Sequence, residues 1–195
     1  MHAVLRSLVA VAVLLASSAA LAQDKEMADN PFYKFWSKSK PGDSVSLKET
    51  TKLSGPAAGG DTGGDEVKLI THKLLEVTPE KVVVETVVTE GETFGYVESA
   101  PTKHIYPAKM SKQVLEELIR ETGGKGEEKT VKVGDKEIKV MYLTGTTKKG
   151  DEEVAHQIWL ADEVPGKSAK RVRVTKLKGE VVAETTIELV KFTKN

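Results

Sequence analysis

The sequence predicts a mainly β protein: a curved antiparallel meander sheet or half-barrel of about nine or ten strands, with one or two short covering helices. After residue 43, apolar and β-branched residues alternate with polar ones, as in strands that bury one face and solvate the other. Short turn sequences separate these runs, for example Thr78-Pro79-Glu80 and Lys178-Gly179. Connections this short join antiparallel strands, because a parallel crossover needs roughly a dozen or more residues. Only two segments show helical spacing, so we expect helices that cover the sheet rather than alternate with its strands.

The composition argues against several classes of function. The chain has 195 residues, with 29 Lys and Arg against 29 Asp and Glu, and it has no cysteine. The absence of cysteine excludes disulfides, thiolate metal sites and a cysteine nucleophile. The charge balance lacks the basic excess typical of nucleic-acid binding, so we expect no nucleic-acid partner. Hydrophobic residues make up 39% of the chain, which is enough for a folded core.

The first segment, residues 1–22, has the pattern of a secretory signal peptide. Arg6 supplies a positive start, residues 8–15 form a short apolar run, and Ala20-Leu21-Ala22 fits the small-x-small rule for cleavage before Gln23. The alternative is a membrane anchor, which we disfavour because a spanning helix needs about 20 apolar residues. We therefore predict a periplasmic or extracellular protein with no transmembrane segment after cleavage.

The next segment, residues 23–43, is predicted to contain a short aromatic helix at 31–37. Asn30 can cap this helix, and Pro31 suits its first turn. Three aromatic residues then share one helical face at spacing i, i+3 and i+4: Phe32, Phe35 and Trp36. Pro41-Gly42 ends the segment, and we expect the helix to pack on the sheet.

The antiparallel β domain is predicted to occupy residues 44–195. Its predicted strands are 44–53, 66–77, 80–90, 93–98, 102–108, 127–133, 136–147, 152–161, 168–177 and 180–193. One helix interrupts them at 111–122, where Ser111 provides the cap and Gly123 the end. The apolar stripe of this helix consists of Val114, Leu115, Leu118 and Ile119.

A glycine-rich stretch at 54–65 is predicted to be a long, flexible hairpin tip. Its acidic residues invite a second interpretation as a calcium site. The repeat pattern Gly-Gly-x-Gly-x-Asp, however, needs glycine where Thr62 stands. We therefore favour a plain loop, although the sequence leaves ion binding there open.

Motifs for catalysis are missing from the sequence. His72, His104 and His156 stand far apart, and the chain has neither His-Glu-x-x-His nor Gly-x-Ser-x-Gly. A catalytic role for His156 is the alternative to a hydrogen-bonded residue within the sheet, and we favour the latter. We predict a protein that is not an enzyme, with no catalytic residues, no metal site and no cofactor.

The space between sheet and helices is either a filled core or a cavity for an apolar ligand, and the sequence does not separate the two. Six apolar residues are the candidates for ligand binding: Phe35, Trp36, Leu115, Leu118, Ile119 and Trp159. The basic strand Lys170-Arg171-Val172-Arg173 could meet an acidic lipid headgroup or partner. A solvated strand protected by its charge is the simpler interpretation.

The stretch from His156 to Arg171, followed by a strand and the Lys178-Gly179 hairpin, resembles part of the periplasmic lipoprotein-localisation carriers. The shared features are a strand with Trp159, a turn with Pro165, a basic strand and a glycine hairpin. The resemblance covers residues 156–195, and it implies an open antiparallel barrel with helical lids that shelters acyl chains. The inward positions here are mainly Val, Thr and Ala, where that family has large aromatic residues.

The start of the predicted mature chain, with Asn30-Pro31-Phe32 and Pro41-Gly42, also resembles secreted bacterial proteins. Together these features predict an exported, non-enzymatic envelope protein that binds a lipid or lipoprotein acyl group. The alternative is a structural or protein-interaction β module whose exposed strands pair with another envelope protein.

Overall fold

The computed structural model describes residues 26–54, 65–90, 97–122, 126–133 and 136–195. Its elements in chain order are β1 (Met27–Asp29), α1 (Pro31–Trp36), β2 (Ser44–Leu53), β3 (Glu66–Val77), β4 (Lys81–Glu90), β5 (Val97–Glu98), β6 (Thr102–Pro107), β7 (Lys109–Ser111), α2 (Lys112–Thr122), β8 (Gly126–Val133), β9 (Lys136–Lys149), β10 (Glu152–Leu160), β11 (Ser168–Leu177) and β12 (Glu180–Thr193). The predicted signal peptide, nearly all of the predicted 54–65 loop and the first part of predicted strand 93–98 lie outside the described residues.

Within these ranges, ten strands form one antiparallel sheet in the order β5-β4-β3-β2-β12-β11-β10-β9-β8, with β6 paired to β4. The sheet is curved and does not close into a barrel, and only two short helices accompany it. The predicted fold class is therefore confirmed. One meander runs from β2 to β6 and the other from β8 to β12, and the pairing of β12 with β2 is the seam that joins them. In this seam Phe192 lies opposite Val45, for example.

Helix α1 begins where the sequence predicts. The Asn30 side chain accepts a hydrogen bond from the Phe32 amide at 3.0 Å, and its Nδ2 donates to the Pro107 carbonyl at 2.8 Å. The Tyr33 hydroxyl donates to the Thr78 carbonyl at 2.9 Å, and Phe32 stacks on Tyr106 with ring centroids 5.5 Å apart. These contacts fix the helix against the end of the sheet formed by β4 and β6.

The buried core lies where the two meanders meet and continues beneath α1. Its members are Trp36, Val45, Leu47, Leu74, Val82, Val84, Ile138, Val140, Ala161, Val164, Ala169 and Leu189. Gly166, in the turn between β10 and β11, has a φ of +70° and lies directly against the Trp36 ring. A Cβ at this position would come within 2.6 Å of that ring, so only glycine allows the turn to close over Trp36.

Helix α2 packs against β9 and β10, and the Ser111 hydroxyl accepts a hydrogen bond from the Val114 amide at 3.3 Å, as the predicted cap requires. Its apolar stripe is divided: Leu115 and Leu118 are half-buried, whereas Val114 and Ile119 are exposed. In the part of the chain that the structure describes, neither helix has the length and apolar character needed to cross a membrane.

Candidate functional site

An open cleft of about 500 Å³ lies on the half of the sheet formed by β8 to β12. We call it the aromatic cleft, and its lining consists of Val131, Lys132, Trp159, Ala169, Lys170, Glu188 and Leu189. Strands β8 and β12 both contribute to this lining although three strands separate them in the sheet. In a flat sheet they would lie roughly 19 Å apart, so the sheet must curl here to bring them to one cleft.

Trp159, which lines the cleft, belongs to an aromatic pair. Trp159 in β10 is directly opposite Tyr142 in β9, and their ring centroids are 4.9 Å apart at a tilt of 48°. The ammonium of Lys129 lies 3.7 Å from the Tyr142 ring centroid, and that of Lys170 lies 5.7 Å from the Trp159 centroid. A cation over an aromatic face is attracted by the ring quadrupole, so each lysine stabilises the ring over which it lies.

Lys170 is also held by Glu188, whose Oε1 accepts from the lysine Nζ at 2.6 Å. Both side chains keep substantial contact with solvent, so this ion pair adds at most about 1 kcal/mol to stability. The ion pair mainly fixes the position of the Lys170 side chain, because it keeps the aliphatic part of that side chain along the wall of the cleft. The cleft thus combines an apolar wall with a charged rim, which suits an amphiphilic ligand.

A second, smaller cleft of about 320 Å³ lies beside Phe35 and the end of the chain. Its rim is mostly charged, and the charged residues are Lys38, Lys40, Asp43, Asp162, Lys167 and Lys194. Asp43 is committed to structure, since its two oxygens accept from the backbone amides of Lys40 and Asn195. Asp162 accepts from Lys167 at 2.6 Å, and this contact is the main cause that holds the pKa of Asp162 below its usual range.

The six predicted ligand-binding residues lie in three places. Trp159 lines the aromatic cleft, Phe35 lines the smaller cleft, and Trp36 is only 7% exposed within the core. Leu115, Leu118 and Ile119 lie on α2 and line neither cleft. The structure therefore places Trp159 in one cleft and Phe35 in the other, and ligand binding by all six residues remains a prediction.

The histidines are not gathered into one centre. His72 in β3 lies 2.8 Å from the Thr86 hydroxyl, and desolvation first, with the nearby His104 second, lowers its pKa to about 4. His156 lies on a different part of the sheet, opposite Arg173 in β11. Among the described residues, no group of three or more histidines and acids is placed to hold a metal ion.

Tyr142, which packs on Trp159, and Lys129, which lies over Tyr142, were not predicted from the sequence. Lys170 was named there only as part of the basic strand. A usable signal was present for Tyr142, because it precedes the Gly150-Asp151 turn by as many residues as Trp159 follows it. Counting outward from a two-residue hairpin gives the cross-strand register. Lys132 and Leu189 carry no such signal, since they reach the cleft only through the curl of the whole sheet.

No family model matches the sequence, and no curated protein matches it. Comparison with solved structures finds a LolA superfamily protein from Nitrosomonas europaea. It is 10% identical to this chain, and the match covers 86% of this chain and 94% of that protein with a TM-score of 0.22. A similarity at this TM-score carries no argument, so the fold and the cleft described above rest on the geometry of this chain alone.

Proposed function

We propose that this protein is an exported, non-enzymatic binding protein that holds a lipid or lipoprotein acyl group in the aromatic cleft. One observation carries the proposal: a cleft of about 500 Å³ that is lined by both apolar and charged residues. Val131, Trp159, Ala169 and Leu189 are the apolar residues, and Lys132, Lys170 and Glu188 are the charged ones. Small-molecule sites have comparable volumes, roughly 300–1,000 Å³.

The mode of binding follows from the arrangement of the lining. An acyl chain laid along Trp159 removes apolar surface from water on both sides, which is the main driving force for binding. The polar end of the ligand then lies near Lys132 and Lys170, whose ammonium groups remain at the surface. Support for export comes from the sequence pattern of residues 1–22.

Uptake of a fluorescent fatty acid by the delipidated protein tests the proposal. We expect Trp159→Ala to weaken uptake by about tenfold or more, because the substitution removes the largest apolar surface of the cleft. Leu177→Ala is the matched control, since Leu177 is 49% exposed at the far end of β11 and does not line the cleft. Its affinity should equal that of the wild type.

Native mass spectrometry provides a second readout that needs no variant. Bound lipid should add mass to the purified protein, and delipidation should remove it. Equal masses before and after delipidation, together with no fatty-acid uptake by the wild type, would contradict the proposal.

A second candidate function is strand addition by a protein partner. Strand β8 ends the sheet order of the described residues and pairs there only with β9. An extended segment of an envelope protein could add to its free edge through backbone hydrogen bonds. A specific partner recovered by the lipid-free protein in envelope pull-downs would favour this function, whereas bound lipid with no partner would reject it.

A further inference from the structure

Strand β11 presents cations to both faces of the sheet. Lys170 lies on the face of the aromatic cleft, opposite Trp159 and Glu188. Arg171 and Arg173 lie on the other face, because successive residues of a strand point to opposite sides. The two arginines are two residues apart on one strand, so their side chains leave the sheet about 7 Å from each other. We call this opposite side the arginine face.

The cross-strand neighbours of the two arginines carry no negative charge. Arg173 lies between Thr185 in β12 and His156 in β10. Arg171 lies between Ile187 and Ile158 on the same two strands. Residues directly opposite each other have Cβ atoms about 5 Å apart, so the side chains of these four residues start next to those of the two arginines.

One acid lies further along the same row. Glu49 in β2 is opposite Ile187, one strand beyond the arginines, and its other cross-strand neighbour is Lys68. Desolvation is the main cause that raises the pKa of Glu49, and the charge of Lys68 opposes that rise. Lys68 itself is paired with Glu66 and Glu90, and among the described residues no ion pair joins Glu49 to either arginine.

The hydrogen bonding of Arg173 is incomplete. Its Nε is buried and has no hydrogen-bond partner. Within the described ranges, neither Arg171 nor Arg173 takes part in an ion pair, whereas Lys170 on the same strand is paired with Glu188. A shielded, charged donor without an acceptor is destabilising and rare in folded proteins.

The surroundings of Arg171 also disfavour its positive charge. Although Arg171 is exposed, desolvation is the main cause that lowers its pKa, and the positive charge of Arg173 is the second. A bound anion would reverse both effects, because it would supply the missing acceptor and the missing opposite charge. Guanidinium groups present planar sets of donors that match tetrahedral oxyanions well.

We propose that Arg171 and Arg173 form a binding site for a phosphate group on the arginine face of the sheet. Each guanidinium contacts different oxygens of the same phosphate, which suits their spacing along the strand. The phosphate belongs either to a free ion or to the headgroup of a lipid. This site goes beyond the proposed acyl binding, because neither arginine lines the aromatic cleft and both side chains leave β11 on the opposite side from Lys170.

The test compares two probes at constant ionic strength: inorganic phosphate and dihexanoylphosphatidic acid, each measured against sodium chloride. Isothermal titration should detect binding to the wild type, and the bound ligand should raise the melting temperature, since it binds only the folded state. Binding of both probes indicates a free-ion site. Binding of the lipid alone indicates a headgroup site if the arginine variants weaken it, whereas binding of neither probe, or lipid binding that the arginine variants leave unchanged, overturns the proposal.

Arg171→Gln and Arg173→Gln should each weaken binding by at least about tenfold, because each removes a charge-assisted contact. Lys139→Gln is the matched control: Lys139 is exposed on β9, and it loses the same charge without touching β11. Equal weakening in all three variants would overturn the proposal, because it would show a general charge effect. Circular dichroism checks that each variant is folded.

A double variant in which both arginines are replaced by lysine provides a second measure. It retains the positive charge but lacks the planar donors, so we expect weaker binding of phosphate. Unchanged affinity would contradict bidentate recognition.

Fatty-acid uptake separates this proposal from the proposed function. The Arg173→Gln variant should take up fatty acid normally, and Trp159→Ala should bind the phosphate probe normally. Loss of both activities in either variant would show one shared site and would overturn the assignment of two faces.

Discussion

At the scale of single residues, the environment of a side chain decides what its chemistry contributes. His72 carries no motif in the sequence that assigns it a role. In the structure it lies against Thr86 within the sheet, and burial lowers its pKa from the ordinary histidine value of about 6.5 to about 4. At neutral pH this histidine is therefore an uncharged hydrogen-bonding partner of a threonine, which is a structural role.

This shift predicts a pH-dependent stability. Between pH 6.5 and about 4, the unfolded chain binds a proton at His72 that the folded chain does not bind. The free energy of unfolding therefore falls as the pH drops through this window, by up to about 3 kcal/mol from this residue. In His72→Gln, which removes the titrating group, urea denaturation should show a shallower loss of stability over the same window.

His104→Gln serves as the companion variant for this measurement. It removes only the secondary cause of the shift and leaves desolvation in place. We therefore expect a smaller change in the pH profile than with His72→Gln. Identical profiles for the wild type and His72→Gln would contradict the assignment.

At the scale of elements, short local signals explain most of the secondary structure. Nearly every predicted strand agrees with the structure to within two residues wherever the chain is described, and both helices occur where they were predicted. The turns and the alternation of residues are local properties, so a sequence displays them directly. Strands β1 and β7 were missed because each has only three residues, which is too short to show a period.

The anchor of α1 predicts a stability effect of its own. Asn30→Ala removes both the cap of the helix and the bond to Pro107 in β6, so we expect a loss of about 2 kcal/mol in urea denaturation. Asn30→Ser keeps a capping oxygen but lacks the Nδ2 donor, and it should lose roughly half as much. Equal stability of Asn30→Ala and the wild type would show that the anchor contributes nothing.

At the scale of the whole molecule, the seam between β2 and β12 unites the two meanders. It pairs residues from near the beginning and the end of the described chain, for example Leu47 with Leu189. Both side chains are buried in the common core. The two meanders should therefore unfold together rather than as separate units.

Leu47→Ala tests this cooperativity. Leu47 is 4% exposed, so its truncation should cost about 2–5 kcal/mol. Hydrogen exchange should then show an equal loss of protection in β3 and in β11, one from each meander. Leu53→Ala, at a 49% exposed position of the same strand, is the control and should change stability by less than about 0.5 kcal/mol. A loss confined to β3 would mean that the meanders are independent.

The sequence by itself determined the antiparallel hairpins, the two helices and the alternation of faces along each strand. The physical reason is that turn chemistry, helix caps and residue periodicity act over a few neighbouring residues. The register of the β9–β10 hairpin, and with it the Tyr142–Trp159 pair, was also within reach, because a tight turn sets the pairing of its own strands.

Only the tertiary structure decided the β2–β12 seam, the two short strands and the curl that brings β8 and β12 to one cleft. These features depend on contacts between residues far apart in the chain. Many strands of similar composition could form such contacts equally well, so the sequence does not show which strands pair. The same reason applies to the surroundings of Trp159 and of the two arginines. Trp159 was visible as a large aromatic residue, but which residues line the cleft beside it, and which described residues lie across from Arg171 and Arg173, follow from which strands lie next to each other.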